Sequence, residues 1–202
     1  MCAAHCGVDA VGLVFYPPSP RHVDVAQATA LVRAVPLFVD VVALFVDPEP
    51  DLVRTVVARV QPQFLQFHGD EDPEFCAQFQ RPYIKALRVR PDQPLAPLVT
   101  RYGQARGILL DTYQAGVPGG TGRTFDWNLV PEPLRSKVVL AGGLTPANVA
   151  AAVTRVQPWG VDVSGGVERD KGIKDDKLIR QFVVQVRAGD EAPGARTGVG
   201  VA

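Results

Sequence analysis

The chain carries no excess charge of either sign: lysine plus arginine and aspartate plus glutamate both number 21, for a formal net charge of zero. No global field draws it to nucleic acid or to an acidic membrane surface, so an anionic ligand must be held by a local device. It has no apolar run approaching a membrane span, and its first residues lack the charged-then-apolar layout of a secretion signal. Cysteine is scarce. Cys2, Cys6 and Cys76 are odd in number and without paired spacing, which suits a reducing compartment better than a disulfide framework. Cys2 and Cys6 stand four apart around His5, yet no second Cys or His pair lies at finger-like distance, so a metal is not expected there. That spacing on a helix end simply puts two small apolar groups on one face. A cytoplasmic protein is expected, with neither nucleic acid nor membrane as its partner.

What is present fits a globular core: 202 residues, 47% apolar and 21% charged, enough for one ordinary domain. Short β-rich runs recur: "AVGLVF" from Ala10, "DVVALFV" from Asp40, "QFLQF" from Gln63, "YIKAL" from Tyr83, "GILLD" from Gly107, "KVVLAG" from Lys137 and "GVDVS" from Gly160. They are nearly continuous in apolar residues instead of alternating, as in strands buried on both faces of a parallel sheet. Between them lie stripes at helical spacing: Leu52, Val53, Val56, Val57 and Val60; Val149, Val153 and Val156; and Leu178, Ile179, Phe182, Val183 and Val186. Asp24 reads as an N-cap, and "LTPANV" sets Thr145 before Pro146 at a first helical position. Strand and helix thus alternate through linked right-handed parallel units, leaving an open doubly wound sheet or an eight-stranded barrel. The last stretch, "AGDEAPGARTGVGVA" from Ala188, has no apolar period and is expected to be a mobile tail, so the domain is bounded at residues 1–187.

Polar and glycine residues cluster where the strands end. "LAGGLTPAN" passes from a strand through Gly142 and Gly143 towards a capped helix, and "VDVSGGVE" does the same through Ser164, Gly165 and Gly166. Glycines let the main chain approach a ligand, and amides at a helix start supply donors for a phosphate. Twin loops after the final two strands are the usual phosphate seat of barrels; ordinary tight turns are the alternative. Asp111 ends the apolar run "GILLD", where a carboxyl is placed to act as a general acid, or else as a cap or turn residue. The glycine-rich "QAGVPGGTGRT" behind it reads as a cover or binding loop. Arg21, on the proline-stiffened "PPSPR", suits a two-pronged grip on a carboxylate, although a lone arginine is common on any surface. His68, in "QFHGDE", points to the same end, with a hydrogen-bonded structural histidine as the alternative.

Taken together, "GVDAVGLVFYPPSPR", "LQFHGDE", "ILLDT", "GGTGRTFDW", "LAGGLTPANV" and "VDVSGGVE" resemble, in order, the blocks of phosphoribosylanthranilate isomerase, the barrel enzyme of tryptophan biosynthesis. The resemblance runs from Gly7 to about Arg187. It implies a (β/α)8 TIM barrel and an Amadori rearrangement of a phosphoribosyl amine of anthranilate, with no metal or organic cofactor. It further implies that Asp111 is the acid that protonates the ring oxygen and that Arg21 grips the anthranilate carboxylate. Gly142, Gly143, Ser164 and Gly165 would hold the phosphate, with His68 and Asp162 lining the pocket.

One departure stands at the front. The family opens with a strand ending in lysine, an aliphatic residue, cysteine and glycine, and that cysteine is the base that takes the proton from the sugar carbon. Cys2 and Cys6 align instead with the helix after that strand, so the role is not transferred to either. The chain is therefore expected to begin inside the first barrel helix, lacking strand one and showing seven strands, with the true start upstream and Met1 a misassigned initiation site. Two rivals remain: a degenerate, non-catalytic phosphosugar binder, and another barrel isomerase acting on a histidine-pathway phosphoribosyl compound. The latter needs a second phosphate site and a second acid at the mouth, and neither is placed by these residues. Relatives occur as monomers, dimers and fused domains, so the residues carry no reading of oligomeric state.

Overall fold

The computed structural model describes residues 2–112 and 124–192. Seven strands hydrogen-bond in chain order: β1 (Ala10–Val14), β2 (Asp40–Phe45), β3 (Phe64–Phe67), β4 (Tyr83–Val89), β5 (Gly107–Thr112), β6 (Val138–Leu140) and β7 (Gly160–Val161). Their registers are parallel, with Ala10 opposite Asp40, Val42 opposite Phe64, Leu65 opposite Tyr83 and Val139 opposite Gly160. Parallel neighbours in chain order need a crossover at every step, which is the connectivity expected of a (β/α)8 barrel with seven of its strands. By internal packing the chain divides into two compact units, Met1–Leu87 with Pro97–Leu109, and Arg88–Ala96 with Leu110–Ala202.

The first unit opens with a short helix, α1 (Cys2–His5), and the Cys2 sulfur lies 3.7 Å from that of Cys6 in the turn just past it. Helix α2 (Val25–Val32) starts at Asp24 as expected: its carboxylate accepts from the Gln27 N–H at 2.8 Å while the Gln27 side chain accepts from the Asp24 N–H at 2.9 Å. This reciprocal box satisfies two amides that a helix start leaves without partners. Helix α3 (Pro50–Arg59) turns Val53 and Val56 fully inward, with Val60 buried at its end. Leu52 and Val57 flank that stripe half-buried. Helix α4 (Pro73–Ala77) is capped by Asp72, which accepts from the Phe75 N–H at 2.7 Å.

Aromatic rings knit this unit. Phe15 stacks on Phe45 at 5.4 Å, Phe45 on Phe67 at 5.9 Å, and Phe67 meets the edge of Phe75 at 5.8 Å. Each fully buried phenylalanine contributes about 1.5–3 kcal/mol through the apolar area it removes from water. Phe45 and Phe67 are both completely buried, one from each of two neighbouring strands.

In the second unit, the end of β5 bonds to β6, the Ala141 N–H donating to the Leu110 carbonyl at 2.8 Å, and β7 follows with the Asp162 N–H on the Leu140 carbonyl at 2.9 Å. A short helix, α5 (Leu95–Arg101), has its first residues here, and another, α6 (Glu132–Arg135), precedes β6. Helices α7 (Val149–Val156) and α8 (Asp176–Asp190) pack on each other. The valine stripe of α7 is buried, as are Ile179 and Phe182 of α8. Helix α8 runs past the boundary set at Arg187: Ala188, Gly189 and Asp190 are helical, not a loose tail. The cause is Gly189, where a Cβ would stand 2.8 Å from the Ala150 carbonyl and 2.8 Å from Val153 Cβ. The missing side chain lets α8 press against α7, so a residue that reads as a breaker is here a packing contact. The rest of the expected tail, 193–202, lies outside the described residues.

Among the described residues no helix is long and apolar enough to cross a membrane. Cys76, fully buried on α4, donates to the Glu71 carbonyl at 3.9 Å. Burial pushes its thiol up from 9.0 to about 12, with the Lys85 charge pulling the other way. Because the thiol ionises more readily in the unfolded chain, the stability it lends is complete below pH 9.0 and is lost as pH rises toward about 12. Thiol labelling of the native protein at pH 8 is therefore expected to spare Cys76 and to reach it only on unfolding. A Cys76→Ala variant is expected to lose stability less steeply above pH 9 in urea titrations. Native labelling of Cys76 at a rate like that of Cys2 or Cys6 would contradict its burial.

Candidate active site

Three sequence-predicted pieces meet in the second unit. Asp111 lies at the carboxyl end of β5 with 6% of its surface exposed, and its Oδ1 accepts from the Thr112 N–H at 2.7 Å. Immediately beside it is the first glycine loop. Gly142 sits at φ +80° and Gly143 at φ +65°, the left-handed region that a side chain disfavours. A Cβ on Gly142 would touch the Thr112 hydroxyl and stand 2.7 Å from Asp111 Oδ1. Only a bare α-carbon lets this loop lie against the carboxylate.

The second loop, after β7, closes on the first. A Cβ on Gly166 would fall on the Leu144 carbonyl oxygen and 3.1 Å from Thr145 Cα. The two loops are therefore interlocked through main chain alone. Asn148 stiffens the first, its Oδ1 accepting from the Thr145 N–H at 2.8 Å and its Nδ2 donating to the Gly143 carbonyl at 3.0 Å. Lys174 stiffens the second, donating to the Ser164 carbonyl at 2.8 Å and pairing with Glu168 at 3.0 Å. Asp162 lies exposed just past the end of β7.

Both loops enter their helices differently from expectation. Helix α7 begins at Val149 with Asn148 before it, not at Pro146 behind Thr145. Residues 145–148 form a turn that leads into the helix: Asn148 Oδ1 accepts from the Thr145 N–H at 2.8 Å, and the Thr145 carbonyl accepts from the Val149 N–H at 3.0 Å. After Ser164, residues Gly165–Val167 make one 3-10 turn, followed by a hairpin of β8 (Glu168–Asp170) and β9 (Ile173–Lys174). Helix α8 is capped only later, by Asp175, which accepts from the Lys177 and Leu178 N–H groups. A phosphate here would meet amides of tight turns more than the end of a long helix. The "QAGVPGGTGRT" segment, apart from Thr124, lies outside the described residues.

The other two predicted residues belong to the first unit. Arg21 follows β1 on a loop closed by bonds from the Ser19 N–H to the Tyr16 carbonyl, from the Arg21 N–H to the Ser19 hydroxyl, and from the Val23 N–H to the Val14 carbonyl. The proline-rich loop thus carries Arg21 on a braced turn. His68 follows β3, its N–H donating to the Phe45 carbonyl at 2.9 Å and its Nδ1 facing Gln66 Nε2 at 3.2 Å.

Beneath His68 lies a buried ion pair absent from the expectations above. Lys85 Nζ and Glu71 Oε2 are 2.7 Å apart, each side chain 2% exposed. Lys85 also donates to the carbonyls of Gly69 at 2.6 Å and Phe67 at 3.4 Å, while Glu71 Oε1 accepts from the Asp47 N–H at 2.8 Å and the Gly69 N–H at 3.2 Å. One signal was legible: a lysine inside "YIKAL", a strand expected to be buried on both faces, requires a counter-charge. Among the described residues no group of three His, Cys, Asp or Glu could hold a metal.

Because Gly166 and the Leu144 carbonyl share one space, Gly166→Ala is expected to destabilise the fold by about 1–3 kcal/mol, as overpacking does. It should also weaken binding of a sugar phosphate. Gly12→Ala and Gly160→Ala, where a Cβ meets nothing within 4 Å, serve as controls that leave both nearly unchanged. Urea unfolding and calorimetry with a phosphosugar analogue read the two effects. A neutral Gly166→Ala would contradict the interlock.

A family model described as N-(5'phosphoribosyl)anthranilate (PRA) isomerase matches residues 2–185 of the chain. The N-(5'-phosphoribosyl)anthranilate isomerase of Pseudomonas fluorescens (strain SBW25) is 54% identical over 187 residues, 93% of this chain and 89% of that relative. That of Alcanivorax borkumensis is 54% identical over 194 residues, 93% of this chain and 89% of its own length. Among solved structures, phosphoribosyl anthranilate isomerase from Thermotoga maritima superposes with a TM-score of 0.83 at 37% identity, covering 92% of this chain and 91% of that one. Another, in complex with reduced 1-(o-carboxyphenylamino)-1-deoxyribulose 5-phosphate, gives 0.80 at 36% identity with the same coverage. With the family model matched over nearly its whole described length, this chain belongs to the phosphoribosylanthranilate isomerase family.

Proposed function

We propose that the chain catalyses the reaction its family is named for. In this Amadori rearrangement, N-(5'-phosphoribosyl)anthranilate opens its sugar ring and becomes 1-(2-carboxyphenylamino)-1-deoxyribulose 5-phosphate, a step of tryptophan biosynthesis. The observation that carries the proposal is the convergence of the Asp111 carboxyl with two interlocked glycine loops in one compact unit. In this reading, main-chain amides of Gly142, Gly143, Ser164 and Gly165 receive the substrate phosphate. The close main-chain approach at Gly142 supports that assignment.

Asp111, in its acid form, gives a proton to the ring oxygen as the bond from that oxygen to C1 breaks, and the anthranilate nitrogen shares its lone pair with C1. Loss of the C2 proton then yields an enol that tautomerises to the ketone. Nearly complete burial of Asp111 keeps bulk water from competing for the transfer. Arg21 takes the anthranilate carboxylate, and His68 and Asp162 line the pocket, roles carried over from the family by position. The role of the base that accepts the C2 proton is not carried over to a cysteine of this chain. Cys76 is buried with its thiol pushed up to about 12, while Cys2 on α1 and Cys6 in the turn after it both precede β1. No metal or organic cofactor enters the reading, and the biosynthetic family supports a cytoplasmic place for the protein.

Asp111→Asn keeps the shape of the side chain and removes its acid. It is expected to lower kcat by roughly 10²–10⁴-fold, while the reduced product analogue still binds. Steady-state kinetics beside calorimetry separates the two effects. Near-parental turnover by Asp111→Asn would remove the acid assignment. Tight analogue binding by a parent that never turns substrate over would make the protein a phosphosugar binder.

A further inference from the structure

We propose that Lys174 and Glu168 are positioning residues for the phosphate seat: from behind the second glycine loop they turn its Gly165 N–H toward the ligand. The inference rests on the reading of that loop as phosphate-binding. A trans peptide is planar, with its carbonyl and the following N–H pointing in opposite directions. Whatever holds a carbonyl therefore aims the next amide. The Ser164 carbonyl accepts from the Lys174 ammonium at 2.8 Å. The next carbonyl, of Gly165, accepts from the Glu168 N–H. Both are turned toward the β8–β9 hairpin, so the N–H groups of Gly165 and Gly166 face the other way. Consecutive amides on one side of a turn are a general arrangement for holding an anion.

The hairpin puts the lysine there. Glu168 and Lys174 are directly opposed in the antiparallel pair of β8 and β9, with Gly172 at φ +83° in the turn between them. The base of the hairpin is closed by the Asp175 N–H on the Val167 carbonyl at 2.9 Å, and Asp175 then caps α8. Glu168 Oε1 stands 3.0 Å from the ammonium. An ion pair exposed on both sides contributes little and leaves its side chains free to move. This pair differs: the Glu168 side chain is only 5% exposed, against 42% for Lys174. A carboxylate nearly out of water requires its counter-charge close by, which gives the flexible lysine stem one place to set its ammonium.

The turn is fixed at its far end as well. A Cβ on Gly166 would fall on the Leu144 carbonyl oxygen, so the first glycine loop abuts the second there. The segment from Ser164 to Gly166 is thus held by main chain at Gly166 and by the Lys174–Glu168 pair at Ser164. Without the pair, the peptide between Ser164 and Gly165 can rotate about its flanking bonds and carry the Gly165 N–H away from the seat. The pair is neutral as a whole, so what it supplies is direction. A donor already aimed at an anion needs no reordering when the anion binds.

The test combines Glu168→Gln with Lys174→Met. This double variant keeps the net charge and leaves no buried carboxylate without its counter-charge, so it is expected to fold, which urea unfolding checks. Calorimetry compares the reduced product analogue with the same compound lacking its phosphate. The phosphate is expected to strengthen binding to the parent, and the double variant to lose roughly tenfold to a hundredfold of that gain, the scale of one hydrogen bond to a charged group. Affinity for the phosphate-free compound should stay at the parental value, which a general loosening of the fold would not allow. Lys171→Met removes an exposed lysine from the turn of the same hairpin and does change the net charge, yet it is expected to keep the phosphate gain. In ¹H–¹⁵N NMR the Gly165 amide of the parent is expected to move downfield when inorganic phosphate is added, and that of the double variant not to follow. A folded double variant with the phosphate gain intact, or an equal loss in Lys171→Met, would overturn the proposal. A parent that binds both compounds alike, its Gly165 amide unmoved, would instead remove the seat itself, and the positioning role with it.

Discussion

The Leu144 carbonyl and the α-carbon of Gly166 occupy positions that leave no room for a methyl group between them. That contact makes the two glycine loops one object. Neither can shift without displacing the other, and the first is pressed at Gly142 against the Asp111 carboxyl. In the proposed reading this pair of loops would hold the phosphate through main chain, with no cationic side chain required, which accords with a chain of zero net charge. The loops are braced by Asn148 on one side and Lys174 on the other. Electrostatic catalysis depends on dipoles that need not reorganise when charge moves, and a double loop with no slack meets that condition.

The first unit solves a related problem by other means. There an aromatic stack from Phe15 through Phe45 to Phe67 supplies cohesion, and a buried ammonium gathers the loop carbonyls at the strand ends. Buried ion pairs seldom add stability over a well-packed apolar pair, because the desolvation cost offsets most of the attraction. What Lys85 adds is geometry: the Phe67 carbonyl at the end of β3, the Gly69 carbonyl and the Glu71 carboxylate converge on its ammonium.

The strands were legible because burial on both faces leaves an almost unbroken apolar run, as in the Asp40–Phe45 segment. Asp24 was legible as a cap because its partner, Gln27, lies within the same helical turn. The positions of Asp111, Gly142 and Gly166 at strand ends followed from chain order alone. Features set by contacts distant in sequence were not. Gly189 reads as a breaker until α7 lies against it, and Lys85 finds Glu71 only once β4 has paired with β3. The start signal at Thr145 and Pro146 marks the turn that leads into α7, which is regular from Val149, and the Thr145 carbonyl accepts the Val149 N–H. The roles of Arg21, His68 and Asp162 came from resemblance, since their surroundings admit a structural reading as well as a functional one.

The central claim is that the interlocked glycine loops seat the substrate phosphate beside Asp111. A crystal structure of the protein with the reduced product analogue tests it most directly. The account predicts phosphate oxygens about 2.7–3.2 Å from amides of both loops, with the sugar chain leading toward the Asp111 carboxyl. A phosphate bound away from both loops, with Asp111 facing no part of the ligand, would contradict it.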